Sequence, residues 1–343
     1  AALTNSGDGI RIFGASNTIG ATSAGERNVI SGNSMLGVRV TGATAIGNVI
    51  LGNYIGTNAA GTSAVGNAED GLQIDTGASN NTIGGTSSGA GNVISGNLNS
   101  GIAVDNIPSA NNQILGNVVG LSADGSIAVG NQHQGITVFA GSSTIIGNGT
   151  SAGRNVVAGN AMNGISLTDA AGTSIQGNWI GVSADGTTAR ANGQDGIRIA
   201  GSSSGSLVGG ATLGQGNLIA NNTGDGILVS SSSAIAATIL GNTIYANAET
   251  AIDLGADNGL TTNDAAPDSD TGPNDLQNFP VLISASTTTT GTTIIGSLTS
   301  SVSQTFRIDF YASRPAAADP TGHGEAERYL GFLKAGGSLY PLE

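Results

Sequence analysis

The chain has 343 residues, 57 of them glycine, with 3% aromatic and 10% charged residues, a net charge of −13 and no cysteine. That composition excludes a globular core built from large rings and a disulfide framework; the acidic balance makes nucleic acid a poor partner, because its phosphates need a basic stripe, and disfavours polyuronates unless a cation bridges. No run of 18 apolar residues occurs, so no segment reads as a membrane span.

From the first residues onward the chain repeats itself. Asn5, Asn33, Asn67, Asn97, Asn131, Asn160, Asn192, Asn222 and Asn247 are separated by 25 to 34 residues, yet each lies four residues before a short apolar strand. A position that survives variable insertion must stack on itself in space. The strands read Gly-φ-x-φ: Gly9-Ile10-Arg11-Ile12, Gly37-Val38-Arg39-Val40, Gly71-Leu72-Gln73-Ile74, and so on to Gly226-Ile227-Leu228-Val229. In Ala251-Ile252-Asp253-Leu254 the glycine is lost. Alternation of period two gives one buried and one exposed face.

A second asparagine column runs through Asn28, Asn53, Asn92, Asn117, Asn155, Asn178, Asn217 and Asn242, with an aliphatic residue two positions after each. A third strand supplies Ile19, Ile50, Ile83, Ile114, Ile146, Ile175, Val208 and Ile239. Three short strands per coil, stacked about eight to nine times, describe an all-β parallel β-helix over residues 1–255. Asparagine suits the columns because its amide bonds the amides above and below and tolerates turn conformations. These residues therefore read as structural. The Asp-Gly pairs at Asp8, Asp70, Asp195 and Asp225 read as turns into strands. Odd coils carry an insertion at one corner (residues 84–91, for example). Coils two, four and six carry a longer one at another corner, beginning at Gly56, Gly120 and Gly181.

The segments Asn28-Val29-Ile30-Ser31-Gly32-Asn33, Asn81-Thr82-Ile83-Gly84-Gly85-Thr86 and Leu51-Gly52-Asn53-Tyr54-Ile55-Gly56-Thr57 resemble the repeats of right-handed parallel β-helix proteins of the pectate-lyase-like superfamily. More narrowly they are similar to tandem repeats of large secreted or surface bacterial proteins. The resemblance implies the right-handed sense and a secreted or cell-surface location. It leaves function open, because the fold carries lyases, hydrolases, epimerases, tailspikes and adhesins. The chain begins four residues before the first column asparagine, and the expectation is that further coils precede it in the native polypeptide.

Two outward rows are candidate sites. On the first strand, Asp75 and Asp105 should stack on neighbouring coils, about 5 Å apart by strand spacing. Carboxylates that close cannot both ionise freely, which is what general acid–base chemistry and a retaining glycosidase pair require. Arg39 and Arg11 are expected beside them. Against this, Asp commonly ends a strand and begins a turn. The hydrolases of the fold carry a Gly-His-Gly in the solenoid, and here that motif surrounds His323, outside it. Its lyases use a Lys or Arg base near calcium ligands, and the solenoid has no Lys. The second row reads Val29, Tyr54, Val93, Val118, Val156, Trp179, Leu218, Thr243. A strip so apolar meets something: the chain's own loops or C-terminal module, another subunit, or a glycan stacking on Tyr54 and Trp179.

Residues 256–275 are rich in Asp and Asn. The run Asp268-Ser269-Asp270-Thr271-Gly272-Pro273-Asn274-Asp275 spaces oxygen ligands as calcium loops do, with Asp268, Asp270, Asn274 and Asp275 as ligands, though without a bidentate Glu. The competing reading is a solvated acidic linker, and no cofactor is required. Residues 276–343 alternate again around Phe279, Val281, Ile283, Ile294, Phe306 and Ile308. They predict a small partial β module covering the open C-terminal end of the solenoid. The sequence thus predicts a structural or adhesive scaffold directed at polysaccharide or cell-surface glycan, with a polysaccharide-processing enzyme as the alternative.

Overall fold

The computed structural model describes residues 4–105, 109–255, 259–264, 270–300, 305–314 and 325–336. Three parallel sheets run the length of the solenoid. Sheet A has nine strands, from Ile10–Ile12 to Ile252–Leu254; sheet B has eight, from Thr18–Ile19 to Thr238–Leu240; sheet C has eight, from Val29–Ile30 to Thr243–Tyr245. The chain visits A, B and C in turn in every coil, and within the solenoid each strand pairs with its equivalents in the coils before and after. This is a parallel β-helix, and the right-handed sense is the one that parallel crossovers adopt.

The core is one continuous stack of aliphatic side chains. Val38, Val40, Ile50, Ile55, Leu72, Ile74, Ile83 and Ile94 begin it, and their equivalents extend it to Ile244. Every coil contributes the same small set of side chains, so packing is repeated between neighbours rather than assembled around a centre.

The asparagine columns are the polar counterpart of that core. In the first, each Nδ2 donates to the next Oδ1: Asn33 to Asn67 at 2.7 Å, Asn67 to Asn97 at 2.8 Å and Asn97 to Asn131 at 2.9 Å. The same Oδ1 also takes the backbone N–H of the coil before it, as Asn131 does from Asn97 at 3.1 Å. The second column repeats this from Asn28 to Asn242. A third column, Asn17, Asn48, Asn81 and Asn112, lies before sheet B. It passes to Thr144 and Thr173, whose buried hydroxyls have no hydrogen-bond partner among the described residues. Sequence reading missed it because it is asparagine for only half its length.

A fourth row corrects the reading of the Asp-Gly pairs as local turns. Asp70 Oδ1 accepts the N–H of Ser100 at 2.8 Å, Asp195 Oδ1 that of Asp225 at 3.1 Å, and Asp225 Oδ1 that of Thr250 at 2.8 Å. These carboxylates bridge coils. They are costly in that place, because an Asp supplies the acceptor but brings a charge into a buried row.

Beyond the solenoid, Val281–Thr287 pairs antiparallel with Thr292–Ser297, and Thr305–Ala312 with Arg328–Gly336. The second hairpin reaches the solenoid: Ala326 forms an antiparallel bridge to Ile244, on the last strand of sheet C. Ile244 N–H donates to Ala326 O at 2.9 Å, and Ala246 N–H donates to the buried Glu325 carboxylate at 2.6 Å. That strand is an exposed parallel edge otherwise, open to pairing with another chain.

Candidate functional site

Sheet A and sheet C each present an outward row, and both were candidates. On sheet A the register places Arg11, Arg39, Gln73 and Ala103 in one line, with Thr41 opposite Asp75 in the next. The ladder brings Ile74 opposite Val104, so Asp105 follows Asp75 one coil on.

Both carboxylates are engaged by the coil before. Arg39 donates to Asp75 Oδ2 from Nε at 2.9 Å and from Nη2 at 2.6 Å. The Thr76 hydroxyl takes up Asp75 Oδ1 at 3.1 Å, and Asp75 is only 2% exposed. Gln73 Nε2 donates to Asp105 Oδ2 at 2.7 Å. Arg198 reaches Ser230 in the same way, at 3.4 Å. A donor at the second position of one strand meets an acceptor at the fourth position of the next. This diagonal is a periodic feature of the solenoid surface, not one isolated cluster.

Arg11 is not part of it. Its Nε donates to Asp8 at 2.8 Å, three residues back and just before its own strand, and its guanidinium lies 5.8 Å from the Phe13 ring centre. A local partner was nearer than a carboxylate two coils away.

Electrostatically the face is uneven. Burial pushes the Asp105 carboxyl up; the Gln73 bond opposes this, and the charge of Asp75 adds to it. Asp70 is pushed from 3.8 to about 7, chiefly by burial, with the Ser100 N–H pulling the other way. Asp195 rises to about 6 for the same first reason, with Asp225 and Glu249 adding and Arg198 opposing. These groups hold their protons longer in the folded chain than in the unfolded one. Between about pH 4 and 7 unfolding therefore releases protons, and stability falls as pH rises. Asp70→Asn keeps the acceptor for Ser100 and removes the charge. It should stabilise the chain at pH 8 by on the order of 2 kcal/mol and flatten that slope, read by urea unfolding across the pH range. An unchanged slope would remove Asp70 from this role.

On sheet C the register confirms one unbroken row from Val29 through Tyr54, Val93, Val118, Val156, Trp179 and Leu218 to Thr243. The chain covers much of it. Leu121, in the loop after Gly120, packs with Val156 and Ala158, and Val118 and Trp179 pack against that cluster. The three long corner loops stack on one another, Ala123 N–H donating to Gly61 O at 2.8 Å and Ala184 N–H to Gly125 O at 3.0 Å. Gly61 lies against the Tyr54 ring and Gly186 against the Trp179 ring, each so close that a methyl group would collide. From the opposite corner, Arg27 places its guanidinium 4.0 Å from the Tyr54 ring centre, and Arg154 lies 4.1 Å from that of Trp179. One side of each ring thus carries a cation instead of standing open.

These two arginines were missed. The signal was present: Arg precedes the second-column asparagine in the coils before Tyr54 and Trp179, while Gly91 and Gly216 hold that place before Val118 and Thr243.

Of the calcium ligands expected from the sequence, Asp268 lies outside the described residues, as does the Gly-His-Gly around His323. Asn274 faces the solenoid: its N–H donates to Ala234 O at 3.0 Å and its Oδ1 accepts from Ala237 N at 2.9 Å. Among the described residues no three His, Cys, Asp or Glu side chains converge as metal ligands.

No protein-family model and no curated protein matches the sequence. Solved structures do. A variant of the periplasmic alginate epimerase AlgG is 14% identical, with a TM-score of 0.46 over 71% of this chain and 47% of that one. The A-module of the Azotobacter vinelandii mannuronan C-5 epimerase AlgE6 is 18% identical, with a TM-score of 0.38 over 67% and 54%. The Dettilon tailspike protein is 14% identical, with a TM-score of 0.36 over 98% and 84%. The chain spans about half the length of the two epimerases. The fold assignment rests on this chain's own ladders. Among the described residues no helix is long and apolar enough to cross a membrane.

Proposed function

We propose that the chain is a secreted or cell-surface β-helix scaffold with a structural or adhesive role, and that it presents its long faces to polysaccharide. The observation that carries this reading is how the outward carboxylates are used. A nucleophile or general base needs a lone pair turned toward substrate. Asp75 spends one oxygen on two N–H groups of Arg39 and the other on Thr76, and Asp105 is held by Gln73. The face is organised to hold coil to coil. Polysaccharide is the partner class that suits it. Eight stacked coils give a straight corrugated surface of about 38 Å by strand spacing, which matches a linear repeating polymer better than a compact ligand. An immobilised glycan array probed with the intact chain tests this: retention on one or more extended glycans is expected, and a blank array would remove the reading.

A second reading, a polysaccharide hydrolase, lyase or epimerase, has one observation in its favour. Asp105 carries a carboxyl raised by burial and by Asp75, a direction suited to a general acid.

A further inference from the structure

The nine described arginines divide into three groups, of which Arg190, Arg198 and Arg328 have no carboxylate within 4.0 Å among the described residues and stand on no aromatic ring. Arg11, Arg39, Arg307 and Arg314 each pair with a carboxylate. Arg27 and Arg154 have no carboxylate within 4.0 Å among the described residues, in a chain whose net charge is −13. Both stand at the same corner of sheet C and are fixed the same way. The guanidinium lies on an aromatic ring, and Nε donates to a backbone carbonyl: Gly52 O at 3.1 Å for Arg27 and Gly177 O at 3.2 Å for Arg154. That leaves the Nη edge of each fork without an anion among the described residues, and a guanidinium fork takes a carboxylate or sulfate in two parallel hydrogen bonds.

We propose that the sheet C trough binds an acidic polysaccharide, with Arg27 and Arg154 receiving its carboxylate or sulfate groups. This rests on the polysaccharide-directed reading above and names its ligand class. The two forks are four coils apart, about 19 Å by strand spacing, so a polymer with regularly spaced anions meets both and a single small anion only one. Burial also pulls the Arg154 guanidinium below its usual range, as expected of a cation held partly out of water with no counter-charge. The acids nearby on sheet C do not neutralise the forks. Asp124 and Asp185, on the opposite wall, take hydroxyl and N–H donors of their own loops, and Glu26 accepts from Ser23. Repetition supports the assignment: where Gly91 and Gly216 replace the arginine, no ring stands in the next coil.

The test is binding of the intact chain to three probes at low ionic strength, where screening is weak: oligogalacturonate, dextran sulfate and neutral dextran. The expected result is binding of one or both acidic probes, lost as salt is raised, with Arg154→Gln weakening it about tenfold and Arg27→Gln with Arg154→Gln weakening it further. A longer oligogalacturonate should bind more tightly than one too short to span both forks. Arg154→Lys, with its melting curve, controls for folding: it keeps the cation, loses the fork and should bind with intermediate affinity. Uronate against sulfate separates the two kinds of acidic chain. Equal binding of dextran, or acidic-probe binding unchanged by both arginine substitutions, overturns this inference and leaves the scaffold reading standing. Failure to bind any of these probes overturns it too, and a blank array would then remove the broader reading as well.

Discussion

Asn97→Ala should lower the free energy of unfolding by about 3–5 kcal/mol, although it removes no charge and no core side chain. Asn97 Oδ1 accepts from Asn67 Nδ2 at 2.8 Å and from Asn67 N at 3.3 Å, while its Nδ2 donates to Asn131 Oδ1 at 2.9 Å. All three residues are fully buried. Alanine leaves two donors of Asn67 in a place no water reaches, and each unsatisfied buried donor costs about 1–3 kcal/mol. Asn5→Ala is the internal control. Asn5 heads the same column, is exposed, and gives Asn33 one bond of 2.9 Å. Its loss should cost a small fraction of the Asn97 value. Urea unfolding of the two variants reads the difference, and equal costs would mean that the column contributes by turn propensity rather than by its bonds.

Gly120→Ala should be at least as damaging, costing more than about 4 kcal/mol, a loss that a collision with fixed backbone produces. Gly120 has φ +90°, and an added methyl would lie 2.2 Å from Ala158 O and 2.5 Å from Asn160 Oδ1. It would press on the neighbouring coil and on the first asparagine column together. Gly42 separates the two causes. It has nearly the same backbone, φ +92°, with nothing within 4 Å of the added group. Gly42→Ala therefore carries only the cost of an L-residue at positive φ, about 1–2 kcal/mol. Thermal unfolding of both variants checks this; similar melting points would show that conformation alone requires glycine at Gly120.

The solenoid was legible because the chain is its own alignment. Each column asparagine keeps its distance from the next strand while the insertions around it vary, so register could be read before any coordinate. The glycines opening the corner loops follow from the same fact: Gly56, Gly120 and Gly181 sit where Asn97, Asn160 and Asn222 of the neighbouring coil press against them. The sheet C row was equally plain, since every residue in it follows a column asparagine directly. What could not be read was side-chain direction across coils. Arg11 and Arg39 share a register row. Yet Arg39 reaches forward to Asp75 and Arg11 folds back on Asp8, because only the coil after Arg39 offers a carboxylate at the fourth strand position. The arginines on Tyr54 and Trp179 escaped for a related reason, since each comes from a corner and not from a strand row. The third asparagine column was hidden because it passes after Asn112 to Thr144, Thr173 and Ser206, which keep a small polar shape but not the relay of donor to acceptor.

The central claim is that the outward carboxylates of sheet A hold the coils together and perform no chemistry. It is tested most directly by incubating the intact chain and its Asp105→Asn variant with a panel of neutral and acidic polysaccharides. New reducing ends, unsaturated products and changed sugar configuration are then followed by NMR. The account predicts no product from either protein on any substrate. Turnover by the parent chain that disappears in Asp105→Asn, with the variant's melting curve unchanged, would contradict it and make Asp105 a catalytic acid.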